Sequence, residues 1–228
     1  MVLSFVFAES ALELVPREIA RSTEVVADAR RREREPTEVL LDRSFHQGAM
    51  QKLKDSEKRG RPDLVHVALL GVTGTPLYLE GRVKVFVHTW PDVVVELAER
   101  TRIPKNYLRF RGLMEKALAG SEDGLVEAYP ASMSTLLRDR LRPSLTMGFS
   151  VQGGMRDLVE VGKELAGEKD PCVVVGGFPH GHFSRHTLEL LDSLVRVDER
   201  PLEAHVVSAR LVYEVERAAK SPTIKSRQ

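Results

Sequence analysis

The chain has 228 residues, of which 42% are hydrophobic and 29% are charged, and this balance is typical of a globular domain with a sizeable core. Its 34 basic and 33 acidic residues nearly cancel, so a nucleic-acid partner must be sought in local clusters of charge. The single cysteine, Cys172, excludes an intrachain disulfide and a multi-cysteine metal site and suits the cytoplasm, and no apolar run approaches the roughly 20 residues that span a membrane.

The first half of the chain alternates between apolar runs and amphipathic stretches. We predict, in chain order, a buried strand at 2–8, a helix at 16–34, a short strand at 38–41 and a helix at 48–58. The first segment is interpreted as a strand rather than a signal peptide, because it lacks a basic leader and Glu9 interrupts it. The charged run at 29–34 is most simply the solvated end of a helix, with RNA contact as the alternative. Residues 64–72 are mostly apolar and fit either a buried strand or a short helix.

The second half continues the alternation. We predict a half-buried strand at 81–88, a turn at 90–92, its hairpin partner at 93–97, a helix at 104–119, a strand at 145–151, a helix at 155–165 and a buried strand at 173–177. Leu188, Leu191 and Leu194 mark one helical face, and a final helix covers 202–213 before the polar tail at 221–228. Buried strands that alternate with helices predict a single α/β domain with a mainly parallel sheet.

An apolar strand followed by glycines occurs at 175–182, which reads VGGFPHGH. Glycine has no Cβ, so its backbone can approach a ligand closely and adopt a positive φ. The segment matches neither the phosphate-binding loop nor the dinucleotide fingerprint. It therefore predicts a small-molecule site, with an ordinary tight turn as an equal alternative.

The same segment and its continuation contain three histidines, His180, His182 and His186. Such a trio is compatible with a metal-dependent hydrolase, because imidazole is a common zinc ligand. No carboxylate lies between 178 and 187 to support the ligands. We therefore interpret the three as loop histidines and expect no metal.

Residues 100–111 carry five basic side chains and no acidic one. Pro104 suits the first turn of a helix, which would place Lys105 and Arg109 on one face with Arg102 just before it. Tyr107 and Phe110 are interleaved with the basic residues. Basic side chains at a helix start form a phosphate-binding surface, so we favour RNA contact over a solvated helix face.

Arg61 and Asp63 flank a proline that keeps the chain extended. A carboxylate two residues away can brace a guanidinium with charge-assisted hydrogen bonds, which orients it toward an anion or a base edge. On these residues alone, a structural pair that closes a turn is the better interpretation.

Taken together, seven short motifs resemble one family. They are LDRSFH at 41–46, RPDLVH at 61–66, VFVHT at 85–89, RIPKNYLRF at 102–110, GLM at 112–114, GGFPHG at 176–181 and PLEA at 201–204. Their order and identity resemble the pseudouridine-N1-methyltransferases of small-subunit ribosomal RNA, a family of the SPOUT class. The motifs cover nearly the whole chain, which is similar to the archaeal members because it lacks the long N-terminal extension of eukaryotic ones.

The resemblance implies a SPOUT-type fold with a C-terminal trefoil knot, a homodimer, and a small β-rich, family-specific insertion at about residues 75–100. It implies S-adenosyl-L-methionine as cofactor, bound by backbone-rich loops that map to Thr146, Gly176, Gly181, Val197, Asp198, Glu199, Arg200, Pro201 and Leu202. Its RNA-contact positions map to Arg61, Arg102, Lys105 and Arg109.

The sequence departs from the family at several positions. Lys105 replaces a common Arg, Phe45 a frequent Tyr and Gln47 a frequent His, while Glu199 and Arg200 precede a proline where Tyr is common. Lysine keeps the charge of arginine but loses its bidentate geometry.

The implied activity is methyl transfer to ring nitrogen 1 of a pseudouridine during ribosome biogenesis. Arg61 would stabilise the negative charge that develops on the base. Asp63 is a candidate general base, but a carboxylate that braces Arg61 is a weak one. The alternative is an RNA-binding assembly factor with an idle cofactor pocket.

Overall fold

A single sheet lies at the centre of the computed structural model, which describes residues 1–121 and 124–220. Within these residues the sheet has seven strands: β1 Leu3–Ser10, β2 Val83–Thr89, β3 Val93–Leu97, β4 Val126–Pro130, β5 Leu145–Met155, β6 Pro171–Gly176 and β7 Ser193–Arg196. Their order is β4-β3-β2-β1-β6-β5-β7. Strands β2, β1, β6, β5 and β7 run parallel to one another. Strand β3 is antiparallel to both of its neighbours, β2 and β4. The predicted mainly parallel sheet is confirmed.

Helices cover both faces of this sheet. They are α1 Thr23–Arg31, α2 Arg43–Met50, α3 Pro62–Thr73, α4 Pro76–Leu79, α5 Tyr107–Leu118, α6 Met133–Thr135, α7 Leu158–Gly167, α8 Arg185–Leu188 and α9 Ala204–Lys220, with 3-10 turns at Pro36–Glu38 and Ser56–Lys58 and a π-helix at Leu136–Leu141. In the part of the chain that the structure describes, none of the helices combines the length and the apolar character needed to cross a membrane.

The core consists of two main layers, because the central strands are buried on both faces. Phe5 and Phe7 of β1 pack into the layer that α3, α5, α7 and α9 cover, whereas Val6 and Ala8 pack into the layer beneath α6 and the π-helix. Successive strand residues point to opposite faces, so a continuous apolar run is what a doubly covered parallel strand requires.

Local hydrogen bonds move several predicted boundaries. The helix predicted at 48–58 begins instead at Arg43, because the Asp42 carboxylate accepts the Ser44 N–H at 2.9 Å and caps α2. The helix predicted from residue 16 begins at Thr23, after a stretch of turns. Residues 64–72 lie within helix α3, which decides between the two alternatives.

Other expectations are wrong. No strand forms at 38–41, where only one bridge links Leu40 to Leu14. Leu188, Leu191 and Leu194 do not share a helix, since Leu188 ends α8 and Leu194 belongs to β7. All three pack against the same core layer, so their spacing reflects burial rather than a helix. The polar tail at 221–228 lies outside the described residues.

The predicted insertion at 75–100 contains α4, β2 and β3. Strand β2 pairs directly with β1, with Phe5 opposite Val85, and β3 continues the same sheet. This segment is therefore continuous with the central sheet, and its status as an insertion stays a prediction.

Candidate functional site

The carboxyl ends of three adjacent parallel strands, β6, β5 and β7, meet at one edge of the sheet. The segments that follow them enclose a cavity of about 420 Å³. Ligand sites in open α/β sheets lie at this edge. Seven of the nine predicted cofactor residues line the cavity: Gly176, Gly181, Val197, Asp198, Arg200, Pro201 and Leu202.

The structure does not bring the other two predicted residues to the cavity. Thr146 is buried near the start of β5, away from the strand's carboxyl end, and its N–H donates to the Asp192 carboxylate at 2.7 Å. Glu199 is exposed and does not belong to the lining. Sequence reasoning also missed Phe149 and Val207, which line the cavity from β5 and α9, since apolar strand and helix positions look the same in a core as in a ligand pocket.

Glycine is required in the loop after β6 because the backbone there is closely packed. A Cβ on Gly176 would lie 2.8 Å from the ring of Phe178, and one on Gly177 would lie 2.0 Å from the Ser10 hydroxyl. Gly181 has a φ of +90°, which side chains disfavour. These contacts are all within the protein, so they fit a tight turn as well as a small-molecule site, and the small-molecule interpretation stays a prediction.

The lining of the cavity contains carboxylates as well as the cations Arg196 and Arg200. Asp198 and Glu203 belong to its lining. Hydrogen bonds from Arg200 hold the pKa of Asp198 below its ordinary value, so this carboxylate is ionised at neutral pH. Such groups can accept hydrogen bonds from hydroxyl or ammonium groups of a ligand.

Arg61 and Asp63 form the predicted brace. The Arg61 Nε and Nη2 atoms donate to the two Asp63 oxygens at 2.8 Å each. Burial alone would raise the pKa of Asp63, but the bonds from Arg61 lower it below its ordinary value. Asp63 is therefore a poor proton acceptor at neutral pH, as the sequence predicted.

Arg61 lies beside the cavity. Its N–H donates to the Ala11 carbonyl at 3.1 Å, and the Ala11 N–H donates to the carbonyl of Gly177 in the glycine-rich loop at 2.9 Å. The hydrogen bonds that Arg61 donates to Asp63 raise the pKa of Arg61, and the charge of the cavity residue Glu203 raises it further. The permanently charged Arg61 thus lies close to the segments that line the cavity.

The basic segment at 100–111 differs from its prediction in its backbone. Helix α5 begins only at Tyr107, because the Asn106 side chain accepts the Arg109 N–H at 3.2 Å and caps it. Pro104 and Lys105 therefore precede the helix, and the expected helical face shared by Lys105 and Arg109 does not form.

The basic side chains nevertheless remain free. Arg102, Lys105 and Arg109 are exposed, and none has an ion-pair partner within residues 1–121 and 124–220. Unpaired cations on one segment leave their full charge available to a polyanion.

The two aromatic rings of this segment serve as anchors rather than as exposed platforms. Phe110 is buried and stacks on His66 of α3 with ring centres 4.3 Å apart, and Tyr107 donates to the Asp42 carboxylate at 2.6 Å. Because α3 begins directly after Arg61, these contacts place the basic segment near the Arg61–Asp63 brace.

The three histidines do not assemble a metal site. His180 and His182 line the cavity, while His186 is exposed on α8. Among the described residues, no group of three or more metal-ligating side chains is close enough to hold an ion.

Comparison with known proteins gives the family. The sequence profile of the EMG1/NEP1 methyltransferase family matches residues 5–216. The chain is similar to the ribosomal RNA small subunit methyltransferases Nep1 of Staphylothermus marinus, with 37% identity over 94% of this chain and 95% of the relative, and of Pyrobaculum arsenaticum, with 42% identity over 94% and 97%.

A solved structure agrees with the sequence matches. The crystal structure of Archaeoglobus fulgidus Nep1 bound to S-adenosylhomocysteine superposes with a TM-score of 0.83 and 36% identity, over 96% of this chain and 99% of that one. The chain belongs to the EMG1/NEP1 methyltransferase family.

Proposed function

We propose that this protein transfers a methyl group from S-adenosyl-L-methionine to ring nitrogen 1 of a pseudouridine in small-subunit ribosomal RNA, as a step of ribosome biogenesis in the cytoplasm. The observation that carries the proposal is the cavity lined by the glycine-rich loop, with the braced cation Arg61 beside it. The relatives' names and the S-adenosylhomocysteine in the matching structure support the substrate class and the cofactor.

The cavity suits S-adenosylmethionine in its chemistry. Apolar side chains such as Phe149, Val175 and Leu202 offer walls for an adenine ring, and the glycine-rich backbone offers hydrogen-bonding groups at close range. The carboxylates of Asp198 and Glu203 suit ribose hydroxyls and the positive charge of the ligand. The bound cofactor would supply a sulfonium methyl group that is already activated for displacement.

The residues of the chain then position the base and stabilise its charge. Ring nitrogen 1 must lose its proton, which passes to solvent water, and negative charge spreads to the neighbouring carbonyl oxygens. Arg61 is a permanent cation that can stabilise this charge. Asp63 holds the guanidinium in its orientation and does not accept the proton, because its pKa is lowered. RNA phosphates are bound by the exposed side chains of Arg102, Lys105 and Arg109. The target base flips out of its RNA loop to reach the cavity.

We also propose the SPOUT-type arrangement: a homodimer, a C-terminal trefoil knot and a family-specific insertion at 75–100. The dimer is supported by exposed apolar side chains near the cavity, since Met155 is 47% and Tyr213 60% exposed and both line one shallow surface pocket. Light scattering at micromolar concentration should give twice the chain mass of 25.5 kDa. A monomer that still methylates RNA would contradict the dimer.

Calorimetry and methyl transfer together test the proposal. The purified chain should bind S-adenosylmethionine and transfer labelled methyl groups to a small-subunit RNA transcript that contains pseudouridine. If it binds RNA but shows no cofactor binding at millimolar concentration, it is a non-catalytic assembly factor. Stoichiometric bound metal with no methyl transfer would favour a hydrolase built on His180, His182 and His186 instead.

A further inference from the structure

Lys58 contacts the loop that follows β6 at three places. The loop, residues 177–184, forms much of the cavity wall. The Lys58 ammonium donates a hydrogen bond to the His182 carbonyl and lies 4.6 Å from the centre of the Phe178 ring. The Lys58 stem also packs against Gly181, where a Cβ would lie only 3.0 Å from Lys58 Cε. The lysine thus contacts backbone and side chain of the same loop.

Glu9 holds Lys58 and binds the loop itself. Its Oε2 atom pairs with the Lys58 ammonium at 3.1 Å, and the two side chains are only 6% and 15% exposed. Its Oε1 atom accepts the backbone N–H of Ser184 at 2.7 Å. The ion pair therefore binds main-chain atoms at both 182 and 184. Charge-assisted bonds with little solvent contact are stronger than surface ion pairs.

The end of β1 is distorted in a way that points Glu9 at the loop. Glu9 has a φ of +51°, and the pairing of β1 with β2 shifts between Phe7 and Ser10. A positive φ strains the backbone of a non-glycine residue, so this conformation persists only where surrounding contacts impose it. One contact is the Glu9 N–H, which donates to His88 Nδ1 at 3.3 Å, while His88 Nε2 bonds to Asp92 at 2.9 Å.

The partners of Glu9 also keep its carboxylate ionised. Burial would raise its pKa, but the hydrogen bonds from Ser184 and Thr187 and the charge of Lys58 bring the pKa below its ordinary value. The carboxylate is therefore ionised at neutral pH and keeps both of its partners.

We propose that the Glu9–Lys58 ion pair fixes the 177–184 loop in the shape that binds the cofactor, without touching the cofactor itself. Neither side chain belongs to the cavity lining as the structure describes it. The inference rests on the proposed function, in which this cavity takes S-adenosylmethionine. A loop held in its binding shape loses less conformational freedom when the ligand arrives, so affinity rises without a new ligand contact.

Hydrogen exchange on the ligand-free full chain tests the loop directly. In Lys58→Met, which keeps the length but removes the charge, peptides that cover 177–184 should exchange at least tenfold faster. Lys52→Met removes an exposed lysine from the preceding segment and should leave exchange unchanged. Glu9→Gln is the second variant and should also loosen the loop. Wild-type exchange rates in folded Lys58→Met would overturn the proposal.

Ligand binding separates a loop support from a direct contact. Lys58→Met should lose roughly tenfold in affinity for both S-adenosylhomocysteine and 5′-methylthioadenosine, and Lys58→Arg should recover most of it. The second ligand lacks the amino-acid carboxylate and amine, so a loss confined to S-adenosylhomocysteine would show that Lys58 contacts that group and would overturn the proposal. In turnover, KM for S-adenosylmethionine should rise while kcat is kept.

The two ideas fail in different ways. Wild-type protein that binds neither ligand would contradict the proposed cofactor. Hydrogen exchange of the ligand-free chain tests the role of the ion pair whether or not the cofactor binds, because this measurement needs no cofactor.

Discussion

Substitution of Gly176 tests whether the loop after β6 shapes the cofactor pocket. A Cβ at this position would lie 2.8 Å from Cζ and 2.9 Å from Cε1 of Phe178, whereas carbon atoms in contact prefer about 3.5–4.0 Å. Alanine would therefore push the ring by roughly 1 Å, and the branched side chain of valine would push it further. Phe178 lines the cavity, so its displacement changes the cavity wall.

We expect Gly176→Val to lower the affinity for S-adenosylhomocysteine at least tenfold, or about 1.4 kcal/mol, with Gly176→Ala in between. Calorimetry measures the affinity, and circular dichroism checks that the variants fold. Gly167→Val is the matched control, because a Cβ at Gly167, the last residue of α7, meets nothing within 4 Å. Wild-type affinity in folded Gly176→Val would refute this account of the pocket.

Three further perturbations have distinct expected results. Replacing Arg102, Lys105 and Arg109 by Ala should weaken RNA binding and lower the salt slope by about two, without loss of cofactor affinity; an unchanged slope would contradict phosphate contact. Arg61→Ala should slow single-turnover methylation even at saturating RNA, whereas a loss of RNA affinity alone would make Arg61 another phosphate contact. Burial lowers the pKa of His46 below its ordinary value of 6.5, so the free energy of unfolding should decline as pH falls below 6.5, and urea titrations of His46→Gln should show a shallower decline if this assignment is right.

The sheet could be predicted where strands are buried on both faces. The run Val173–Val175 has no polar residue and forms the middle of β6, between β1 and β5. Strand β7 could not be predicted in this way, because it has only four residues. Its Leu194 also follows Leu188 and Leu191 at the three-residue spacing that is typical of a helix face. Helix starts also depended on side-chain caps, such as Asp42 on α2.

The parts of the candidate site that lie close together in the sequence could be predicted. Glycines after a buried strand carry a local signal, and the Arg61–Asp63 brace spans only two residues. The Glu9–Lys58 pair joins residues 49 positions apart, and the bond from Lys58 to His182 joins residues 124 apart. Only the tertiary fold brings these groups together, so the contacts cannot be predicted from any local sequence pattern.

Methyl transfer to a matched pair of RNA hairpins from the small subunit, one with pseudouridine and one with uridine at the target position, decides whether the protein is a pseudouridine methyltransferase. We expect labelled methyl groups from S-adenosylmethionine to enter only the pseudouridine hairpin, at ring nitrogen 1. Uridine is joined to its sugar through that nitrogen and has no proton there to lose. Equal methylation of both hairpins, or methylation of neither by a chain that binds cofactor and RNA, would contradict this expectation.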